Sequence, residues 1–340
     1  MLYGLWVRVR LGSVLAGASA SLIACGGASA GGTGGRGTSD GAAPPAGTGT
    51  NPAHPVPTGG NADAGPGATA DAGAGAPADA GPGAATCKRG IASNAAPSVA
   101  FARTANAPGI AWWYNWAAQA SGGDPSIELV PMIWGSGSLT ATISPASKFV
   151  LGFNEPNFKA QADLTTAQAA TDWPEVERIA GTTAPSAARL VSPAVNFCGS
   201  ASDPSQCTDP NVTDPYSYLT DFFAACTGCE VDYVAVHWYN CDLPSLKAYI
   251  DGSSGSGGLA GFVQFGKPIW LTEFSCDSAH SVADQLAYMQ AAIPYLEGNP
   301  HVYRYAWFSA SAIPNAQLAN ADGSLTSLGA AYVSLPANCP

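Results

Sequence analysis

The chain has 340 residues, a formal charge of −11 and a pI near 4.6, and only 11 % of its residues are charged. The acidic balance excludes the basic footprint by which proteins grip nucleic acid. With so few charges, Ser, Thr, Asn, Gly and Ala must form much of the surface, which together with clustered aromatics suits a neutral ligand better than an anionic one.

Arg8 and Arg10 precede an apolar, small-residue stretch from Leu11 to Ala24, too short to span a bilayer as a helix. The stretch ends in Leu22-Ile23-Ala24-Cys25 and is followed by Gly26 and Gly27, a pattern that resembles a bacterial lipobox. Residues 1–24 are therefore expected to be a lipoprotein-type signal peptide. Cys25 is expected to carry lipid and hold the protein to a membrane of the bacterial cell envelope, with Gly26 pointing to the outer membrane. The alternative is an ordinary signal peptide and a secreted protein. Residues 25–86 are Gly, Ala, Pro, Thr and Asp, with a loose Ala-Asp-Ala-Gly repeat at 62–65, 70–73 and 78–81. No apolar periodicity exists there to build a core, so this stretch is expected to be a disordered tether. Its root-mean-square reach would be about 40–45 Å.

Nine cysteines occur. With Cys25 set aside, eight remain, an even number that implies disulfides in an exported chain. Eight cysteines allow 105 pairings, so the sequence does not fix the connectivity; the pairs chosen as expectations are Cys198–Cys207 across a short Pro/Asp loop, Cys226–Cys229 within a turn, Cys241–Cys276 between two strand ends, and Cys87–Cys339 across the termini of the folded region. A zinc site from Cys226, Cys229, Cys241 and Cys276 and a redox role for Cys226-Thr-Gly-Cys229 are the competing uses.

From Cys87 to Pro340 the pattern becomes that of a folded catalytic region. Eight short, mostly apolar strands are expected: Arg89–Ser93, Gly109–Tyr114, Glu128–Trp134, Lys148–Asn154, Arg189–Val195, Val231–Trp238, Pro268–Glu273 and Val302–Phe308. Helical segments follow several of them: Leu164–Thr171 with Trp173–Ala180, Pro215–Ala225, Leu243–Ile250 and Val282–Leu296, and Pro174 is read as a first-turn proline. Strand alternating with helix means a parallel sheet. Eight repeats in about 250 residues predict an α/β fold of the (β/α)₈ TIM-barrel type as one catalytic domain, against an open doubly wound sheet as competitor. No Gly-x-Gly-x-x-Gly follows the first strand, and the glycines from Gly252 to Gly261 lack the Lys-Ser/Thr of a phosphate loop. Neither a serine nucleophile elbow nor His-Glu-x-x-His is present. Asn211-Val-Thr213 matches a glycosylation acceptor, which is incidental in a bacterial lipoprotein.

Two strands end in glutamate. Phe149-Val-Leu-Gly-Phe153 runs into Asn154-Glu155-Pro156, and Pro268-Ile-Trp-Leu-Thr272 runs into Glu273. Pro156 disfavours the helical region for Glu155 and predicts an extended conformation there. Catalytic groups of α/β barrels sit at carboxyl ends of strands, so Glu155 and Glu273 are the candidate catalytic pair. Two carboxylates across a sugar-sized gap are what glycoside hydrolysis needs. In Val236-His-Trp-Tyr239, period-two alternation places His237 and Tyr239 on one face and Trp238 on the other. Both are candidate substrate-binding residues, as is Asn154 beside Glu155. Sugar rings present apolar faces to aromatic planes, and Trp134, Tyr114 and Trp307 are chosen as the cleft aromatics from a larger set that includes Trp112, Trp113 and Trp116. No metal and no cofactor are expected.

These motifs resemble a known family. Gly90-Ile-Ala, Trp113-Tyr-Asn-Trp116, Leu151-Gly-Phe-Asn-Glu-Pro-Asn157, Val236-His-Trp-Tyr239, Trp270-Leu-Thr-Glu-Phe274 and Asp322-Gly-Ser-Leu-Thr-Ser-Leu-Gly329 are similar to glycoside hydrolase family 128 of clan A, over nearly all of residues 87–340. The resemblance implies a (β/α)₈ barrel that cleaves β-1,3-glucan with retention, with Glu155 as acid/base, Glu273 as nucleophile and Asn154 near the sugar 2-hydroxyl. The expectation is thus a monomeric, retaining endo-β-1,3-glucanase. The rivals are a hydrolase of a β-1,4- or β-1,6-glucan and a catalytically silent surface β-glucan-binding protein.

Overall fold

The computed structural model describes residues 87–199, 202–252, 260–310 and 312–339. The expected signal peptide, lipidated Cys25 and tether, and most of the Gly-rich stretch after Gly252, lie outside the described residues.

Eight parallel strands form one sheet: β1 (Arg89–Ala92), β2 (Trp112–Tyr114), β3 (Glu128–Leu129), β4 (Phe149–Leu151), β5 (Arg189–Val195), β6 (Tyr233–Trp238), β7 (Ile269–Phe274) and β8 (Val302–Phe308). Their order is β3-β2-β1-β8-β7-β6-β5-β4. The sheet is curled. Beyond β3 the chain stays extended enough to bond to β4: Leu151 N–H donates to the Pro131 carbonyl and Ile133 N–H to the Leu151 carbonyl, both at 2.9 Å. Residues 130–134 therefore serve as the contact with β4 although only 128–129 pair as a strand with β2.

Among the described residues five α-helices accompany the sheet: α1 (Thr166–Ala180), α2 (Pro215–Ala225), α3 (Leu243–Asp251), α4 (Val282–Gly298) and α5 (Ser327–Ser334). Each starts on an oxygen-bearing cap, Thr165, Asp214, Asp242, Ser281 and Thr326, whose side chain accepts an orphan N–H of the first turn. The two segments expected around residue 172 are one helix, and Pro174 sits in its interior rather than its first turn. An interior proline costs about 3 kcal/mol through its lost hydrogen bond. Burial of Ala169, Trp173, Val176, Ile179 and Ala180 offsets it. Trp173 alone packs edge-on against Phe153 and Phe222 and donates its indole N–H to the Glu230 carbonyl at 2.9 Å.

All four expected disulfides are present: Cys87–Cys339, Cys198–Cys207, Cys226–Cys229 and Cys241–Cys276. Within the described residues no helix is long and apolar enough to cross a membrane.

Candidate active site

The carboxyl end of β4 carries Asn154 and Glu155. Glu155 N–H donates to the Ala194 carbonyl of β5 at 2.8 Å, and its own carbonyl accepts from Phe158 N–H at 2.9 Å. That tight turn forces φ to +38°, so Glu155 is left-handed and not extended as Pro156 alone predicted. Left-handed backbone is unfavourable for a residue with this side chain and is held here by neighbouring hydrogen bonds. The loop closed by Cys198–Cys207 clamps the turn from outside: Thr208 N–H donates to the Asn157 carbonyl and Lys159 N–H to the Gln206 carbonyl.

Glu273 reaches the same place by a register irregularity. Trp112 and Tyr114, two apart on β2, share a face; Trp270 packs on Trp112 while Glu273 meets the Tyr114 hydroxyl. Trp270 and Glu273 are three apart, so strict alternation would send them to opposite faces. The shift between Val236 and His237 in the β6–β7 pairing supplies the extra residue and turns Glu273 inward, opposite His237.

His237 joins the two carboxylates. Its Nδ1 lies 2.9 Å from Glu155 Oε1 and 3.3 Å from Glu273 Oε2, and the side chain is wholly buried. One oxygen of each glutamate and the imidazole nitrogen lie within 4.8 Å of one another. The other ring nitrogen, His237 Nε2, is buried and meets no hydrogen-bond partner. Glu273 also accepts from Trp116 Nε1–H at 2.7 Å on Oε1 and from the Tyr239 hydroxyl on Oε2, and the Tyr114 hydroxyl lies 3.0 Å from Oε1. Asn196, at the end of β5, donates to Glu155 Oε1 at 3.2 Å.

Burial pushes the Glu273 carboxyl above the usual carboxylate range and Glu155 adds to this, against the opposing pull of His237 and of the Tyr239 and Trp116 donors. Burial by itself would lower the imidazole of His237, but the charges of Glu273 and Glu155 outweigh it and raise it above its ordinary value.

Of the residues singled out in sequence, Glu155, Glu273, His237, Tyr239 and Tyr114 converge on this one cluster. Trp238 turns away, donating its indole N–H to the Asn240 carbonyl. Asn154 lies beside the cluster, with Nδ2–H donating to Gln161 at 3.3 Å and a buried Oδ1 that no protein group meets. Trp134 is half-buried next to Asn154, whose N–H donates to the Trp134 carbonyl. Trp307 is not at the site. It is fully buried, donates to the Ala316 carbonyl and packs on Phe274, because alternation along β8 gives the inward position to Phe308. Phe308 meets Trp116 and Tyr239 edge-on at 5.8 and 5.4 Å. The sequence reading passed over Trp116 and Asn196. Asn196 carried the same signal as the glutamates, a polar residue closing an apolar strand, and Trp116 lay inside a motif already singled out.

The model of the glycosyl hydrolase catalytic core matches residues 90–332. An endo-β-1,3-glucanase of GH128 subgroup II from Sorangium cellulosum is 40 % identical, with a TM-score of 0.58, over 74 % of this chain and 100 % of that one.

The chain belongs to glycoside hydrolase family 128.

A second subgroup II endo-β-1,3-glucanase of the family, from Pseudomonas viridiflava, is 29 % identical with a TM-score of 0.56, over 74 % of this chain and 98 % of that one. A subgroup I endo-β-1,3-glucanase variant from Amycolatopsis mediterranei, in complex with laminarihexaose, is 28 % identical with a TM-score of 0.55, over 73 % and 98 %. Alkali-sensitive linkage protein 1 of Schizosaccharomyces pombe is 29 % identical over 260 residues, which are 73 % of this chain and 44 % of that protein. The chain thus spans less than half the length of this curated relative. As a GH128 member the protein is a glycoside hydrolase.

Proposed function

We propose that this protein cleaves β-1,3-glucan internally and with retention of configuration, using Glu273 as nucleophile and Glu155 as acid/base. The observation that carries the proposal is the meeting of Glu155 and Glu273 on one imidazole, with an oxygen of each within 4.8 Å. Retaining enzymes hold their carboxyl groups about 5–5.5 Å apart, whereas inverting enzymes need about 6.5–9.5 Å to admit a water. The donors divide the roles. Glu273 is surrounded by Trp116, Tyr239 and Tyr114, donors that favour the ionised carboxylate, the form that attacks, against the burial that raises its carboxyl. A Glu273 oxygen bonds to the anomeric carbon as the bond to the leaving oxygen breaks, and Glu155 gives that oxygen its proton. Water then attacks the anomeric carbon, Glu155 takes its proton, and Glu273 leaves as carboxylate. Asn154, Tyr239 and Trp134 are proposed to contact the sugar, while His237 and Tyr114 orient the carboxylates. The substrate assignment rests on the endo-β-1,3-glucanase relatives.

The meeting of β4 with the segment after β3 supports reading residues 87–340 as one closed (β/α)₈ catalytic domain. The lipobox-like Leu22–Cys25 supports a lipid-anchored, cell-envelope enzyme. Labelling with radioactive palmitate should depend on Cys25 if that reading is right.

The deciding test is reducing-sugar release by the intact chain from linear β-1,3-, β-1,4- and β-1,6-glucans, alongside Glu155→Gln and Glu273→Gln. Release from β-1,3-glucan alone is expected, with a rapid fall in viscosity and a loss of about 10³-fold or more in each variant. An initial product of inverted anomeric configuration would rule out the double displacement. Binding without release would leave a glucan-binding protein.

A further inference from the structure

The two oxygens of Glu273 are held very differently. Oε1 takes the Trp116 N–H at 2.7 Å and lies 3.0 Å from the Tyr114 hydroxyl. Tyr114 is fully buried, and the Trp116 indole is wedged edge-on between Tyr114 at 5.3 Å and Phe308 at 5.8 Å. The Trp116 N–H cannot leave without unpacking its neighbours, whereas the single O–H of Tyr114 is shared between Oε1 and the Thr272 carbonyl at 3.1 Å. Oε2 instead meets the half-buried Tyr239 hydroxyl, and His237 Nδ1, which has a nearer acceptor in Glu155 Oε1. Both donors on Oε2 therefore have another partner within reach, a substrate hydroxyl for Tyr239 and Glu155 for His237.

We infer that Oε2 of Glu273 is the attacking oxygen and that Trp116 is the positioning residue that anchors Oε1 throughout the reaction. This deepens, and rests on, the nucleophile assignment above. As the Oε2–anomeric carbon bond forms and the glycosidic bond breaks, Oε1 becomes the carbonyl oxygen of the glycosyl ester and remains an acceptor. An indole N–H only donates, so it stays bonded to Oε1 in both the carboxylate and the ester, keeping Oε2 in line with the anomeric carbon, and never competes for the proton that Glu155 must deliver. The backbone is consistent with a functional demand: Trp116 has φ +60°, a rare conformation for a bulky residue.

Trp116→Phe in the full chain keeps a ring in the wedge and removes the N–H. On a β-1,3-gluco-oligosaccharide, kcat is expected to fall about 10- to 100-fold, the range for a charge-assisted hydrogen bond, with KM little changed. Glu273, having lost a donor to its anion, should need higher pH to ionise, so the acidic limb of kcat/KM moves up. A substrate-free readout is carbodiimide labelling of Glu273 against pH, followed by mass spectrometry; its midpoint should move up as well. An unmoved midpoint overturns the inference even if kcat falls, because that pattern marks a purely structural role. Should the Phe variant lose its fold, judged by melting temperature, benzothienylalanine in place of Trp116 keeps the bicyclic shape and lacks the N–H; the midpoint should again move up, and an unmoved midpoint overturns the inference. A wild-type chain inactive on every glucan would remove the functional reading, while the labelling midpoint still decides whether Trp116 holds Glu273.

Discussion

At the scale of single residues the site is a problem of three titratable groups in a dry place. Glu155 and Glu273 are each about 95 % buried and repel one another, and the wholly buried imidazole of His237 lies against both. The raised affinity of His237 for its proton keeps a positive charge between them over a wider pH range than an ordinary histidine would. The sign of the linkage follows. A folded-state value above the unfolded one contributes stability at pH below the unfolded value, and that contribution is lost as pH rises through the folded value. His237→Ala leaves two carboxylates facing each other without their cation. We expect a loss of about 3–5 kcal/mol, the usual cost of breaking a buried pair. The Glu273 carboxyl, deprived of the group that most opposes its upward shift, should ionise at still higher pH. The measurements are urea denaturation at several pH values and the pH profile of kcat/KM. An acidic limb that stays in place in His237→Ala would mean that the imidazole does not tune Glu273.

At the scale of elements, chemistry is placed by strand ends and by what staples them. Cys241 follows Tyr239 by two residues, Cys276 follows Glu273 by three, and their disulfide binds the ends of β6 and β7 just beyond the site. Cys226–Cys229 closes only a turn after α2, away from both glutamates. Replacing Cys241 and Cys276 with Ser should cost about 3–4 kcal/mol, from the entropy of a closed loop of this length, and should lower kcat by loosening Tyr239 against Glu273. The same change at Cys226 and Cys229 should cost less and leave kcat unchanged. Denaturation curves and kinetics of the two double variants compare these directly. Much of this level was legible in the sequence. Apolar strands ending in Glu155 and Glu273 announced themselves, and alternation sufficed for His237 and Tyr239 because β6 has an even spacing from Tyr233 through both. What period-two reasoning cannot see is a bulge or a change of face. The inward turn of Glu273 needs the β6–β7 shift, and the choice of Trp307 over Phe308 missed by one residue the side of β8 that faces the site. The left-handed turn at Glu155 was equally hidden, since it is imposed by Ala194 and Phe158 rather than by Pro156.

At the scale of the whole molecule, the start of the sheet is sealed by the last residues described. Arg89, at the entry to β1, is fully buried; Nε–H donates to the Tyr305 hydroxyl at 3.1 Å, Nη1 to the Tyr332 carbonyl at 2.7 Å and Nη2 to the Pro336 carbonyl at 2.8 Å. Glu297 lies 3.8 Å from the guanidinium and accepts from Tyr305 and from Asn338 N–H. Lys88 reaches back to the carbonyls of Leu296, Glu297 and Asn299 at the end of α4, and Cys87–Cys339 closes the outside. Cysteine arithmetic made disulfides legible, although the pairing of Cys87 with Cys339 was one choice among many. The arginine lock was not legible, because main-chain carbonyls such as those of Tyr332 and Pro336 leave no mark in a sequence, and the eight-residue α5 is too short to declare itself by periodicity. Arg89→Met keeps much of the side-chain volume and removes every donor. Two carbonyls lose their partner and Glu297 loses its cation, so we expect a loss of about 3–5 kcal/mol. Parallel strands place this network at the opposite ends from Glu155 and Glu273, so kcat and KM measured well below the melting temperature should stay at wild-type values. Calorimetry and steady-state kinetics on the same preparation test both halves. A fall in kcat alongside the fall in stability would mean that the two ends of the sheet are coupled and that the seal helps to hold the catalytic register.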